Sequence, residues 1–210
     1  TDDFLPRLRE LCDRYGILLV ADEIQSGIGR SGKWVAMEHW GVAADIVCLA
    51  KGLGSGLPIG AIVAHENIMS KWIPGAHAST FGGNPVSCVA ALETLNIIED
   101  GLLDSVTELG GYTYSRLNGF KESHPSMSRV DGKGFMIGMD FVDAQGEPIP
   151  AFRDEIVNRC YLNGLITLAC GTSGIRFAPS LVLQRDLLDE GLDILEHCIA
   201  SVEEDLWQDS

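Results

Sequence analysis

Two uninterrupted apolar runs constrain this chain more than anything else in it. Ile17-Leu-Leu-Val-Ala21 ends on Asp22, and Ile46-Val-Cys-Leu-Ala50 ends on Lys51. A strand with one wet face alternates apolar and polar residues. A continuous apolar run suits a parallel strand covered on both faces. The first run follows a helical pattern over residues 4–15, with Leu5, Leu8 and Leu11/Cys12 on one face and Gly16 as a stop. Helix followed by buried strand is the grammar of an α/β sheet. Gly is frequent, at 24 of 210 residues, and aromatics make up only 7%. That mix suits an α/β protein with tight turns and not an aromatic-rich β-sandwich.

The rest of the chain extends this reading. A glycine loop at 52–58 leads to a third strand, Ile59–Val63. Short helices are predicted over 34–41 and 65–72, and loops over 26–33 and 74–85. Pro85 opens a helix that breaks near Gly101 and ends about Ser123. The character then changes. Phe135–Val142 reads as a strand, 144–148 as a turn, 151–163 as a helix, 165–168 and 175–177 as strands, and 186–205 as an acidic amphipathic helix. The order predicts part of a mostly parallel α/β domain over 1–106, then a smaller α+β domain over 107–210.

Fifteen basic against 30 acidic residues leave a net charge of −15. A general nucleic-acid binder needs a basic footprint, and docking on anionic lipid needs the same. Both are excluded. No apolar run reaches the length of a membrane span. The opening Thr-Asp-Asp-Phe has no secretory pattern, and without an initiator Met a fragment or a processed product is the expectation. The six cysteines (12, 48, 88, 160, 170, 198) form no C-x-x-C pair. They read as reduced, buried thiols of a cytoplasmic protein. The five histidines are scattered, so no metal site is expected.

Asp22 and Lys51 carry the chemistry. In open parallel sheets, ligands bind at the carboxyl ends of strands. Opposite charges closing two successive strands, each followed by a glycine-rich loop, point to a site there. A carboxylate with a lysine in an apolar setting is what pyridoxal phosphate enzymes need: the amine bonds the cofactor and the acid faces the pyridine nitrogen. One motif competes. Gly27-Ile-Gly29-Arg-Ser-Gly32 fits the dinucleotide pattern G-x-G-x-x-G. However, Asp22-Glu-Ile-Gln25 separates it from the strand, no long helix opens after it, and the second strand ends in lysine where an acid is required.

The ordered string Leu19-Val-Ala-Asp22-Glu-Ile-Gln25-Ser-Gly27, Gly29-Arg-Ser-Gly32, Asp45-Ile-Val, Lys51-Gly and Ser79-Thr80-Phe-Gly-Gly-Asn84-Pro85 resembles the class III aminotransferases of PLP fold type I. The resemblance covers essentially the whole chain, more loosely after residue 125. It implies an α/β fold made of the second half of that large domain plus a small C-terminal domain. It implies pyridoxal 5′-phosphate as cofactor. Lys51 would form the Schiff base and shuttle the proton, and Asp22 would pair with the pyridinium nitrogen. Gln25 would meet the 3-hydroxyl side, and Thr80 the phosphate of the neighbouring subunit's cofactor in a homodimer. Arg176, in Gly-Ile-Arg-Phe-Ala-Pro, would grip the substrate carboxylate. Glu23 is expected to be structural. Ser79 and Asn84 would shape the loop that presents Thr80.

Family members are roughly twice this length. Their earlier half brings a phosphate loop, an aromatic residue that stacks on the ring and a glutamate facing the arginine, and none of these patterns is present. The expected reaction moves an amino group from an ω-amino acid to 2-oxoglutarate. Ala169-Cys170-Gly171 and the Met-Ile-Gly-Met-Asp-Phe strand followed by Gln-Gly-Glu-Pro are similar to bacterial 4-aminobutyrate aminotransferases. Acetylornithine or ornithine transamination and amino-acid racemisation stay open. So does a non-catalytic remnant or association module. Without the earlier half, apolar edges and faces of the sheet are expected to be exposed.

Overall fold

The structure, a computed structural model, describes residues 1–206. The chain divides into two compact units, Thr1–Asp104 and Ser105–Ser210.

The first unit opens with helix α1 (Phe4–Tyr15), which stops at Gly16 in the left-handed conformation. Strand β1 (Val20–Asp22) pairs in parallel with β2 (Ile46–Leu49), and β2 pairs antiparallel with β3 (Ala61–Ala64). The order is β1-β2-β3. The third strand therefore departs from a purely parallel sheet. Residues 50–60, with only the single helical turn Lys51–Gly54, join it to the second strand, which suffices for an antiparallel neighbour but is short of the helical crossover that a parallel one needs. A short helix α2 (Glu66–Met69) and a loop lead to α3 (Pro85–Ile97), capped by Asn84, whose side chain accepts the Ser87 N–H at 2.9 Å.

The apolar runs are not covered on both faces. Ile17, Leu18 and Val20 are each more than half exposed, as is Val63. The physical reason is the small sheet: three strands leave both outer edges and much of each face without a layer against them. Helix α3 is inverted. It buries Ser87, Ala91 and Thr94 and exposes Val86, Val89, Leu92 and Ile97. A helix chooses its buried stripe by what packs against it. This one turns its apolar stripe to solvent.

At Asp100–Gly101 the helix breaks, with Gly101 at φ +87°, and α4 (Leu103–Ser123) follows. The second unit holds an antiparallel sheet in the order β4-β5-β7-β6, from β4 (Met127–Lys133), β5 (Met136–Phe141), β6 (Leu168–Cys170) and β7 (Gly174–Phe177). Strand β4 was not legible in the sequence, because Met127 and Val130 are the only large apolar residues of Met-Ser-Arg-Val-Asp-Gly-Lys. Helices α5 (Pro150–Leu162) and α6 (Arg185–Leu206) complete the unit. Its core is dense: Phe135, Phe141, Ile156, Ile175, Leu188, Leu192, Leu195 and Ile199 are fully buried. Gly110 of α4 lies so close to the β4–β5 turn that an added Cβ would sit 2.5 Å from the Gly134 Cα. At the far end, Glu203 accepts hydrogen bonds from the Ser126 N–H and hydroxyl and lies 2.6 Å from His124 Nδ1.

All six cysteines are free, but only Cys12, Cys160 and Cys198 are buried; the others are partly exposed. Burial pushes the Cys160 thiol up to about 12. No helix among the described residues is long and apolar enough to cross a membrane.

Candidate active site

The parallel pairing of β1 with β2 sets the site. In register, Asp22 lies opposite Cys48, and Lys51 follows three residues later, just past the end of β2. Both charges therefore leave the sheet at the carboxyl ends of neighbouring strands. The strand pair is locked beneath them. Asp45 Oδ2 accepts the Leu19 N–H at 2.7 Å and an Arg9 N–H at 2.8 Å, so one carboxylate ties α1, the lead into β1 and the start of β2. The Leu19 N–H, together with the Arg9 guanidinium, holds the Asp45 carboxyl below its usual range.

Lys51 opens a tight helical turn, Lys51–Gly54, in the left-handed conformation at φ +47°. A non-glycine residue at positive φ is uncommon and costs conformational energy. Here the strained residue stands just past the end of β2. Its amine is exposed and has no hydrogen bond or ion pair among the described residues. Asp22 is also exposed; its Oδ1 accepts the Ile24 N–H at 3.1 Å and the second oxygen is open. Neither group is buried within this chain, so any apolar enclosure of Lys51 has to come from outside these residues.

Glu23, next to Asp22, is only 3% exposed. It accepts the Ser26 hydroxyl at 2.5 Å and the Met37 N–H at 3.1 Å. It therefore organises the loop after β1. Gln25 stands in that loop with an exposed amide. Thr80 is exposed on the loop before α3, whose shape comes from the Ser79 hydroxyl accepting the Gly82 N–H and from Asn84 bonding Phe81 and Ser87.

These four candidates belong to the first unit, whereas Arg176 stands on β7 of the second, opposite Gly138 and Leu168. It is partly buried and lines a cavity of about 370 Å³ with Leu165, Thr167, Phe177, Leu183 and Leu187. Its Nε is buried and has no hydrogen-bond partner among the described residues. Sequence reasoning missed Arg153. This α5 residue is 7% exposed and donates to the carbonyls of Cys170, Thr172 and Gly174 in the β6–β7 turn. The available signal was its place on the stripe Arg153–Ile156–Cys160, at helical spacing among core residues.

The unpartnered groups suit one cofactor. An amine that can bond an aldehyde, a carboxylate for a ring nitrogen, an amide for a phenolic oxygen and a hydroxyl for a phosphate are the donors and acceptors that pyridoxal phosphate requires.

Comparison with known proteins agrees. The family described as Aminotransferase class-III matches residues 1–199. The chain is 44% identical over 206 residues to the leucine/methionine racemase of Thermococcus litoralis, covering 97% of this chain and 46% of that one. It is 38% identical over 200 residues to the 4-aminobutyrate aminotransferase of Escherichia coli, covering 93% and 47%. The solved acetylornithine aminotransferase of Elizabethkingia anophelis superposes with a TM-score of 0.88 at 33% identity, over 96% of this chain and 50% of its own. The chain thus spans about half the length of the relatives it matches. On this footing the chain belongs to the class III aminotransferases, a family of PLP fold type I whose cofactor is pyridoxal 5′-phosphate.

Proposed function

We propose that this chain carries the second half of a cytoplasmic, homodimeric transaminase, with residues 1–106 in the cofactor-binding large domain and 107–210 forming the small domain. The observation that carries the reading is the pair of open groups, Asp22 and Lys51, at neighbouring parallel strand ends. When bound, pyridoxal phosphate supplies an aldehyde that bonds amines and a ring that withdraws electrons from the substrate's amine-bearing carbon. The residues here divide the remaining work. Lys51 Nζ would hold the cofactor and, once released, would take the proton from the substrate's amine-bearing carbon and return it to the cofactor's former aldehyde carbon, two atoms along. Asp22 keeps the ring nitrogen protonated by charge pairing. Gln25 orients the ring through its oxygen. Thr80 holds the phosphate of the partner subunit's cofactor. Arg176 receives the substrate carboxylate, a task its planar, forked guanidinium suits.

The preferred donor is 4-aminobutyrate and the acceptor 2-oxoglutarate, on the Ala169-Cys170-Gly171 segment and the Gln145–Pro148 turn. Racemisation is a second reading, favoured by the 44% identity to a leucine/methionine racemase. It needs the same lysine but returns the proton to the carbon it left. An acetylornithine or ornithine donor is the third, and a non-catalytic association module is the reading from another class.

The first test adds pyridoxal phosphate to the purified chain, reduces with borohydride and maps the modified lysine by mass spectrometry. Stoichiometric labelling at Lys51 supports the reading; scattered labelling counts against a half-site preformed in this chain. In the complete enzyme, Lys51→Ala abolishes turnover, and full activity in that variant removes the assignment. Transfer from 4-aminobutyrate to 2-oxoglutarate against loss of optical activity from L-leucine separates the first two readings.

A further inference from the structure

We propose that Arg153 is a positioning residue for Arg176, holding the β6–β7 turn so that the Arg176 guanidinium stays free for a carboxylate. The inference rests on the carboxylate-binding reading of Arg176 and goes beyond it.

Arg153 reaches from α5 into the turn that joins β6 to β7. One guanidinium nitrogen donates to the Gly174 carbonyl at 2.9 Å and the Cys170 carbonyl at 3.2 Å, and the other to Thr172 at 3.4 Å. Its Nε donates to Asp154 at 2.7 Å. The Ser173 carbonyl is taken by the Phe141 N–H at 3.1 Å, while the Ser173 hydroxyl donates to the Phe141 carbonyl at 2.6 Å. Gly174 is fitted so closely that an added Cβ would lie 2.6 Å from Asp140 Oδ1 and 3.0 Å from the Cys170 oxygen. The turn is therefore fixed from three sides just two residues ahead of Arg176.

Two consequences follow for Arg176. First, its place along β7 is set by a turn with little freedom. Second, the carbonyls of Cys170, Thr172 and Gly174 already accept from the Arg153 guanidinium and that of Ser173 from the Phe141 N–H, which weakens them as acceptors for a second cation. The Arg153 charge is shared between these oxygen dipoles and the one carboxylate on its Nε, the exposed Asp154. Arg153 thus fills the acceptors around the turn, and Arg176 keeps a buried, unpaired Nε.

The experiment compares Arg153→Met, Arg153→Lys and Arg176→Gln in the enzyme that carries this chain with the rest of the class III fold. Arg153→Met is expected to raise KM for 2-oxoglutarate about tenfold with kcat within about twofold, the pattern of lost substrate binding. Arg153→Lys keeps a cation for some of these carbonyls but not the fork that serves all three, and is expected to raise KM less, by about threefold, a loss still readable if the Met variant fails to fold. Hydrogen exchange of the amides over 168–177 speeds up in Arg153→Met and not in Arg176→Gln. A Met or Lys variant with unchanged KM, or with kcat reduced and KM untouched, overturns the proposal, as does unchanged exchange. If Arg176→Gln itself leaves KM unchanged, the carboxylate reading of Arg176 fails first, and the two failures are told apart.

Discussion

The two units bury their apolar residues to very different degrees. The second closes Phe135, Phe141, Ile137, Met139 and Ile175 of its sheet under helices that contribute Ile156, Leu188, Leu192 and Ile199. The first buries only Cys12, Ala21, Ile28, Met37, Leu53, Ala91 and Ile98 among its described apolar residues, with no aromatic among them. It leaves Ile17, Leu18, Trp72, Phe81 and Leu92 largely exposed. The two units have similar length and come from one sequence, so hydrophobic content alone does not make a core. The first unit has apolar surface on both faces of a three-stranded sheet and on the outside of α3, and it lacks the layers to cover them. The candidate cofactor groups all stand in this less finished unit. The dense core and the candidate cofactor groups therefore lie in different units, while the candidate carboxylate grip, Arg176, stands in the dense one.

Substitutions can break or sharpen that contrast. The largest effect is expected from Phe141→Ala, which empties a fully buried position of the second unit and costs about 3–5 kcal/mol, read by denaturant unfolding of the whole chain. Gly110→Ala comes next: its methyl meets the Gly134 backbone, which cannot step aside, at about 1–3 kcal/mol. Asp45→Asn acts on the first unit and depends on pH. The folded carboxyl is held below its ordinary 3.8, so it contributes stability above that value, and the contribution is lost as pH falls through the folded pKa. The variant is expected to be less stable than wild type at pH 7, with the gap closing below 3.8. Fluorescence-detected unfolding at pH 7 and pH 3 checks it. The smallest effect is expected from Val89→Ala on the exposed stripe of α3, within about 0.5 kcal/mol in the isolated chain. A loss as large as that of Phe141→Ala would mean the stripe is covered, and the contrast between the units would collapse.

Much of this was legible from the chain itself, for identifiable reasons. The helix over 4–15 and the break at Gly101 rest on local signals: an apolar stripe, a glycine stop and a proline start. Asp22 and Lys51 stood out because each ends an apolar run. Strand β4 was hidden because its alternating residues are mostly polar or small. The antiparallel sense of β3 was hidden because direction is not written in a strand's composition. The exposure of Lys51 is a tertiary fact: an apolar run implies a covering layer, and here that layer is absent from the described residues. Arg153 was hidden because a buried arginine bonded only to carbonyls and an adjacent aspartate leaves no paired charge elsewhere in the sequence to betray it.

The inverted α3 has a colloidal consequence. A helix that shows valine and leucine to water invites another copy to meet it, and what opposes the meeting is charge. At −15 the molecules repel one another, but only across a Debye length, about 8 Å at 0.15 M salt and about 3 Å at 1 M. The repulsion also vanishes near the isoelectric point, at about pH 4.5. Added salt and acid are therefore expected to favour contact between two such helices. The acidic excess thus opposes association through the exposed stripe of α3.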